Sequence, residues 1–173
     1  MISVVTGATI SSIKEIVGND VSVIRAMPNT AIAIGESMTC LSSDGGKDEN
    51  LEIAEKIFDS VGKTFVLKEE LMIPATALVA CGVAFFLRAV RAASQGGVEV
   101  GFHAEDAIMM AAQTAKGAAS LILEDGMHPE SEVDKVTTPQ GCTISGLNQM
   151  EHNGFSSAMI KGITTAAEKC LKF

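Results

Sequence analysis

The run Val136-Thr137-Thr138-Pro139-Gln140-Gly141-Cys142-Thr143-Ile144-Ser145-Gly146-Leu147 crowds hydroxyls, a proline and a glycine directly ahead of an apolar-periodic helix. Pro139 cannot continue a preceding helix, and Gly141 leaves the backbone uncovered. The N–H groups of Gly141, Cys142 and Thr143 can therefore point at one spot and hold an anion. An ordinary N-capped helix is the competing reading of the same residues.

Other residues invite chemistry less directly. Glu69 and Glu70 open a long apolar helix, where negative charge complements the helix dipole by about 0.3 to 1 kcal/mol. The functional alternative is that one carboxylate faces a pocket and holds a substrate N–H or cation. Arg88 and Arg91 lie three apart on one helical face and read as a solvated or salt-bridged ridge. His103-Ala104-Glu105 shares the HxE of zinc deaminases, but the PCxxC partner is missing, so no metal site is expected. His128-Pro129 sits in a turn and His152 near a helix end, neither beside an evident nucleophile. Gly7 follows a strand and precedes a helix, where Rossmann-like sheets present backbone to a dinucleotide. The phosphate fingerprint GxGxxG does not occur: Gly45-Gly46 and Gly96-Gly97 lack its spacing and its strand-to-helix context.

The composition narrows the partners. A formal net charge of -8, with Lys and Arg dispersed, removes the electrostatic basis for gripping a phosphate backbone, so nucleic acid is not expected. Cys40, Cys81, Cys142 and Cys170 form no CxxC pair, and reduced thiols in a cytoplasm account for them most simply. No basic segment precedes an apolar one at the N-terminus. Residues 71–87 are uncharged, but Pro74 and Gly82 interrupt them and the chain has no Trp or Tyr. A helix enclosed on all sides by protein is expected there, not a membrane span.

The elements that must position these residues fall into two kinds. The first 30 residues read as strand, helix, strand: Ile2 to Val5, Ile10 to Val17, and Val21 to Ile24. One such βαβ unit cannot cover both faces of its own sheet, so the chain reads as starting partway through a domain. A strand near Ala33 to Leu41, a turn at 42–46, a helix at about 49–60 and a strand at Thr64 to Leu67 follow. From Glu69 onward five helices are expected, at about 71–95, 104–123, 129–135, 142–152 and 155–170. The second carries a stripe of small residues, including Ala104, Ala107, Ala111 and Ala115, which lets helix axes approach closely. The fold class expected is mostly α: a helical domain (68–173) following a truncated α/β remnant (1–67).

Several segments, in order, resemble pyrroline-5-carboxylate reductase. They are Arg25-Ala26-Met27-Pro28-Asn29-Thr30 with Gly35 and Thr39; Gly117-Ala118-Ala119; His128-Pro129; and the loop 136–147 with Glu151 and Gly154-Phe155. The resemblance implies that the first part is the end of a Rossmann cofactor domain whose front is absent. It implies that the rest is a substrate-binding and dimerisation domain, forming a homodimer that can assemble further into rings. It also implies hydride transfer from NADPH or NADH to the cyclic imine 1-pyrroline-5-carboxylate, giving L-proline.

Residue by residue, the resemblance puts the substrate carboxylate at Gly141, Cys142 and Thr143, with the Thr143 hydroxyl near the ring nitrogen, and a further substrate contact at Glu69, with Glu70 as the adjacent alternative. Val4, Val5 and Thr6 match the strand end near the nicotinamide ribose, and Lys135 a position approaching the dinucleotide. The chain departs from the family where Gln140 replaces a common glycine and where Val79-Ala80-Cys81-Gly82-Val83-Ala84 replaces Ser-Gly-Ser-Gly-Pro-Ala. Ala31 and Ser37 replace a common proline and a common glycine. Because no GxGxxG is present, the competing expectation for the chain alone is a catalytically silent dimerisation module.

Overall fold

The computed structural model describes residues 1–45 and 49–172. Gly46, the last residue of the turn expected at 42–46, lies outside the described residues. Two compact units result: Met1–Ala84 joined by the end of the chain from Lys161, and Phe85–Ile160.

The first unit is built on a four-stranded sheet in the order β1 (Ile2–Ser3), β2 (Ile24–Met27), β3 (Ser37–Ser43), β4 (Gly62–Val66). The pair β1 and β2 is parallel, as the βαβ reading requires, with Ile2 opposite Ile24. Between them runs α1 (Ile10–Val17), whose N-cap Thr9 accepts the Ser12 N–H at 3.1 Å. Ile10 and Ile13 of α1 bury themselves against Val23. Strand β3 is antiparallel to β2 and parallel to β4.

The strand expected at 33–41 starts later than its composition suggests. Thr30–Ile34 is instead a 3-10 turn, because Asn29 Oδ1 accepts the Ala31 N–H at 3.1 Å and Gly35, at φ 73°, ends it in the left-handed region. Gly62 opens β4, two residues before the strand expected at Thr64. A side chain there would drive a Cβ to 2.0 Å from the Ser37 carbonyl oxygen, so only glycine lets β4 close on β3. Helix α2 (Glu49–Asp59) covers the sheet, packing Leu51, Ala54 and Phe58 on Ile24, Ala26 and Leu41.

The long apolar segment is one run of helix, Glu69–Glu99, with a varied path. A 3-10 turn (Glu69–Leu71), α3 (Met72–Ala75) and a π turn (Thr76–Ala80) precede α4 (Gly82–Glu99). In the π turn Cys81 donates its N–H to the Thr76 carbonyl at 3.0 Å, an i to i−5 bond. Met72 and Ala75 pack on Met27 and Cys40, which fastens the segment to β2 and β3.

The described residues of this one chain do not themselves supply the enclosure by protein expected for it. By length and composition this helix could cross a membrane, yet only 28% of its most apolar stretch is buried. Leu78, Phe86 and Leu87 are exposed, with no covering element among the described residues.

The second unit contains α5 (Ala104–Asp125), α6 (Pro129–Val136), α7 (Cys142–His152) and the first turns of α8 (Phe155–Cys170). Gly97 of α4 and Ala107 of α5 show the close approach that small residues permit: a methyl on Gly97 would lie 3.0 Å from the Ala107 Cβ. Beyond that contact the alanine stripe of α5 is open. Together with Phe86, Phe102, Leu147, Met150 and Phe155 it lines an apolar hollow of about 1330 Å³.

Candidate functional site

In the second unit, the loop from α6 to α7 is assembled from its own hydroxyls and carbonyls. Thr137 ends α6 by donating both N–H (3.3 Å) and Oγ1–H (3.1 Å) to the Asp134 carbonyl. Gln140 then takes φ 58° and is the single non-glycine with positive φ among the described residues. This is the position where the family often carries glycine. The turn closes when Gly141 donates its N–H to the Thr138 carbonyl at 2.9 Å.

That bond corrects the expectation that three N–H groups are free. Gly141's donor is spent on the turn, and the helix start keeps those of Cys142 and Thr143, neither of which meets an acceptor among the described residues. No side chain caps α7, because its N-cap is Gly141 itself, at φ -73° and ψ 161°. Cys142 and Thr143 are exposed. A bare helix start with a free hydroxyl one residue in can bind an anion and offer one further hydrogen bond beside it.

Other expected residues of this unit have structural partners. His128 is the N-cap of α6, its Nδ1 accepting the Glu130 N–H at 3.2 Å. Lys135 extends from the last turn of α6 with Nζ 2.6 Å from Glu132 Oε1, a hydrogen bond that holds its ammonium pKa above the usual value. Arg88 and Arg91 are exposed, as the solvated-ridge reading has it.

In the first unit, Glu69 carries the most specific geometry. Its Oε1 accepts the N–H of Ile10, the first residue of α1, at 2.6 Å and the Arg25 Nη1–H at 3.1 Å. Arg25 sits on β2 and is only 5% exposed, so this carboxylate compensates a buried charge. Glu69 borders an open cleft of about 650 Å³ along α1, which Lys14, Glu15 and Asp44 also line. Lys14 and Asp44 form an ion pair, and its hydrogen bond holds the Asp44 carboxyl below the ordinary range.

Val4, Val5 and Thr6 follow β1 and are exposed, leading into a turn at Gly7 with φ 84°. They lie in the same unit as Glu69, whereas Lys135 and Gly141 to Thr143 lie in the other. Sequence reasoning missed the part taken by Arg25, although a charged residue inside the apolar run Val23 to Met27 is itself a signal of a buried partner. It also missed Asn29, whose Nδ2 reaches the Val79 carbonyl of the π turn at 3.5 Å.

The parallel β1–α1–β2 unit is of the kind that builds Rossmann-like sheets. A family model described as pyrroline-5-carboxylate reductase dimerisation matches residues 69–173. Among curated relatives, pyrroline-5-carboxylate reductase 1 of Dictyostelium discoideum is 62% identical over 98% of this chain and 33% of its own length. Pyrroline-5-carboxylate reductase 2 of the same organism is 52% identical over 99% of this chain and 62% of its own length. Two solved structures are similar throughout. The Coxiella burnetii enzyme has a TM-score of 0.93 at 26% identity, covering 99% of this chain and 64% of its own. The Plasmodium falciparum enzyme with NADP bound has a TM-score of 0.89 at 27% identity, covering 98% and 69%. This chain belongs to the pyrroline-5-carboxylate reductase family. It spans about a third and about three fifths of the two Dictyostelium relatives it matches.

Proposed function

We propose that this chain carries the substrate-binding and dimerisation part of a pyrroline-5-carboxylate reductase, which reduces 1-pyrroline-5-carboxylate to L-proline with NADPH or NADH. The observation that carries this reading is the uncapped start of α7, where Cys142 and Thr143 keep unpaired N–H groups beside an exposed hydroxyl. Those two N–H groups anchor the ring carboxylate, and Gly141 shapes the turn that aims them. Thr143 Oγ1 hydrogen-bonds the ring nitrogen. Glu69, in the first unit, is the other proposed substrate contact, its carboxylate suited to a cation. The chain positions and polarises the imine and needs no strong general acid if the imine arrives protonated.

The nicotinamide cofactor, when bound, supplies the hydride. By the resemblance, Val4, Val5 and Thr6, exposed after β1, would meet its nicotinamide ribose, and Lys135, paired with Glu132, would approach the dinucleotide. They do not include the GxGxxG that grips its phosphates. That absence favours a second reading for the chain acting alone, a silent dimerisation module.

A homodimer, able to assemble further into rings, is part of the proposal. The hollow of about 1330 Å³ and the exposed Leu78, Phe86 and Leu87 suit coverage by a second copy. Four unpaired cysteines suit a reducing compartment, and we place the protein in the cytoplasm on that ground. Calorimetric titration with NADPH and then L-proline, with light scattering on the same sample, tests the reading. A dimer that binds L-proline is the expected result, and saturable NADPH binding would exclude the silent module. A monomer that binds neither would sink the proposal.

A further inference from the structure

We infer that Arg25 is a positioning residue for Glu69: its buried guanidinium and the first N–H of α1 fix one carboxylate oxygen, leaving the other to meet a substrate cation at the cleft along α1. The inference rests on the substrate role proposed for Glu69 and adds to it a residue that touches no substrate.

Three observations carry it. Arg25 lies in a strand whose neighbours Ile24, Ala26 and Met27 are all buried core residues. An apolar residue would serve packing there without the desolvation cost of a charge, so the guanidinium answers to a specific partner. Among the described carboxylates, Glu69 alone stands within ion-pair distance of it. Second, both contacts fall on the same oxygen, Oε1: Arg25 Nη1 at 3.1 Å and the Ile10 N–H at 2.6 Å. Two donors from different elements on one oxygen fix where the carboxylate lies, and the first turn of α1 holds no acidic residue of its own to compete.

Third, the Glu69 side chain stays 33% exposed beside the open cleft, while that of Arg25 is 6% exposed. The carboxylate is therefore reachable and its holder is not. Among the described residues, the remaining charged groups bordering the cleft are Lys14 and Asp44, which pair with each other, and Glu15 on the same helix; Glu70 follows Glu69 in its turn.

Binding of L-proline, the product of the proposed reaction, separates the inference from the reading beneath it. Dissociation constants are measured by calorimetry for the wild-type chain, Glu69→Gln, Arg25→Met, Arg25→Lys and the double variant Arg25→Met with Glu69→Gln. Thermal unfolding is recorded for each. The expected result is about tenfold weaker binding for Glu69→Gln and about fivefold for Arg25→Met, with Arg25→Lys between Arg25→Met and wild type. The double variant binds as Glu69→Gln does, because Arg25 acts through Glu69.

Wild-type affinity in Arg25→Met, or losses that multiply in the double variant, overturns the inference while leaving Glu69 in place. Unchanged affinity in Glu69→Gln, or no L-proline binding by the wild type, overturns the substrate reading and the inference with it. Should Arg25→Met fail to fold, Arg25→Lys with and without Glu69→Gln carries the same comparison.

Discussion

A methyl group on Gly141 would stand 2.4 Å from Thr138 Oγ1 and 2.9 Å from the Thr138 carbonyl oxygen. The same carbonyl accepts the Gly141 N–H at 2.9 Å, so the two residues are bound and crowded at once. Gly141 has ordinary extended angles and is needed for space, not for conformation. Gly141→Ala must push Thr138 aside and reopen the turn, at a cost of about 1–3 kcal/mol of the overpacking kind. We expect a lower Tm and L-proline binding weakened about tenfold, since the donors of Cys142 and Thr143 lose their aim. A variant with wild-type Tm and affinity would remove this contact from the design of the site.

Gln140 presents the opposite case. At φ 58° it holds a conformation that L-residues reach at a cost of about 1–2 kcal/mol. Gln140→Gly relieves that strain but frees the unfolded chain, which takes back about 0.5–1 kcal/mol. The net expectation is a small gain, a Tm higher by about 1–3 °C, with L-proline affinity unchanged. A lower Tm would mean that the glutamine side chain makes a contribution that outweighs its backbone.

The helices were legible in the sequence because their ends carry chemistry: Asp125-Gly126, Pro139 with Gly141, and Asn153-Gly154 each stop or start an element where the structure stops or starts it. The antiparallel turn of the chain between β2 and β3 was not legible. It depends on Asn29 and Gly35 winding a 3-10 turn inside an apolar stretch that otherwise reads as strand. The start of α7 was legible, but whether a side chain caps it was left open, and which of its N–H groups stay free depends on how Thr138 and Gly141 meet, which no periodicity reports. The partner of Arg25 lies 44 residues away, so the strand showed a buried charge without its counter-charge.

Thiol reactivity should follow burial. Cys142 is exposed at the start of α7, whereas Cys40 lies in the β3 core, where burial raises its pKa. Brief iodoacetamide treatment at neutral pH followed by peptide mass spectrometry should label Cys142 first and Cys40 last. Because the proposed carboxylate anchor includes the Cys142 N–H, L-proline should slow labelling of Cys142 and leave Cys170 unaffected. Equal protection of both would point to a global change and not to a ligand on the loop.

The Lys14–Asp44 pair gives a pH dependence with a defined sign. The hydrogen bond from Lys14 lowers the Asp44 pKa below its ordinary value of 3.8, so the folded state holds the ionised form more tightly than the unfolded chain does. The stabilisation is therefore fully present above the ordinary value and is lost as pH falls through the lower, folded one. Asp44→Asn should reduce Tm slightly at pH 7, in keeping with partly solvated ion pairs worth about 0–1 kcal/mol. In acid, below the folded value, the two proteins should melt alike. A difference that persists there would assign the effect to something other than ionisation.

Thr143 tests the chemistry most directly, because its hydroxyl is exposed and makes no hydrogen bond among the described residues, so its removal leaves no broken contact in the fold. Valine matches its shape and keeps the backbone N–H that serves the carboxylate. Thr143→Val should therefore retain Tm within error while losing about tenfold in L-proline affinity and, on the proposed function, in kcat/KM for pyrroline-5-carboxylate reduction by a reductase that carries this segment. Loss confined to KM would place the bond in the ground state alone, and loss in kcat would show that it strengthens as the ring nitrogen changes charge. Unchanged binding and kinetics would remove Thr143 from the mechanism and leave the two N–H groups as an anion cradle without a neighbouring donor.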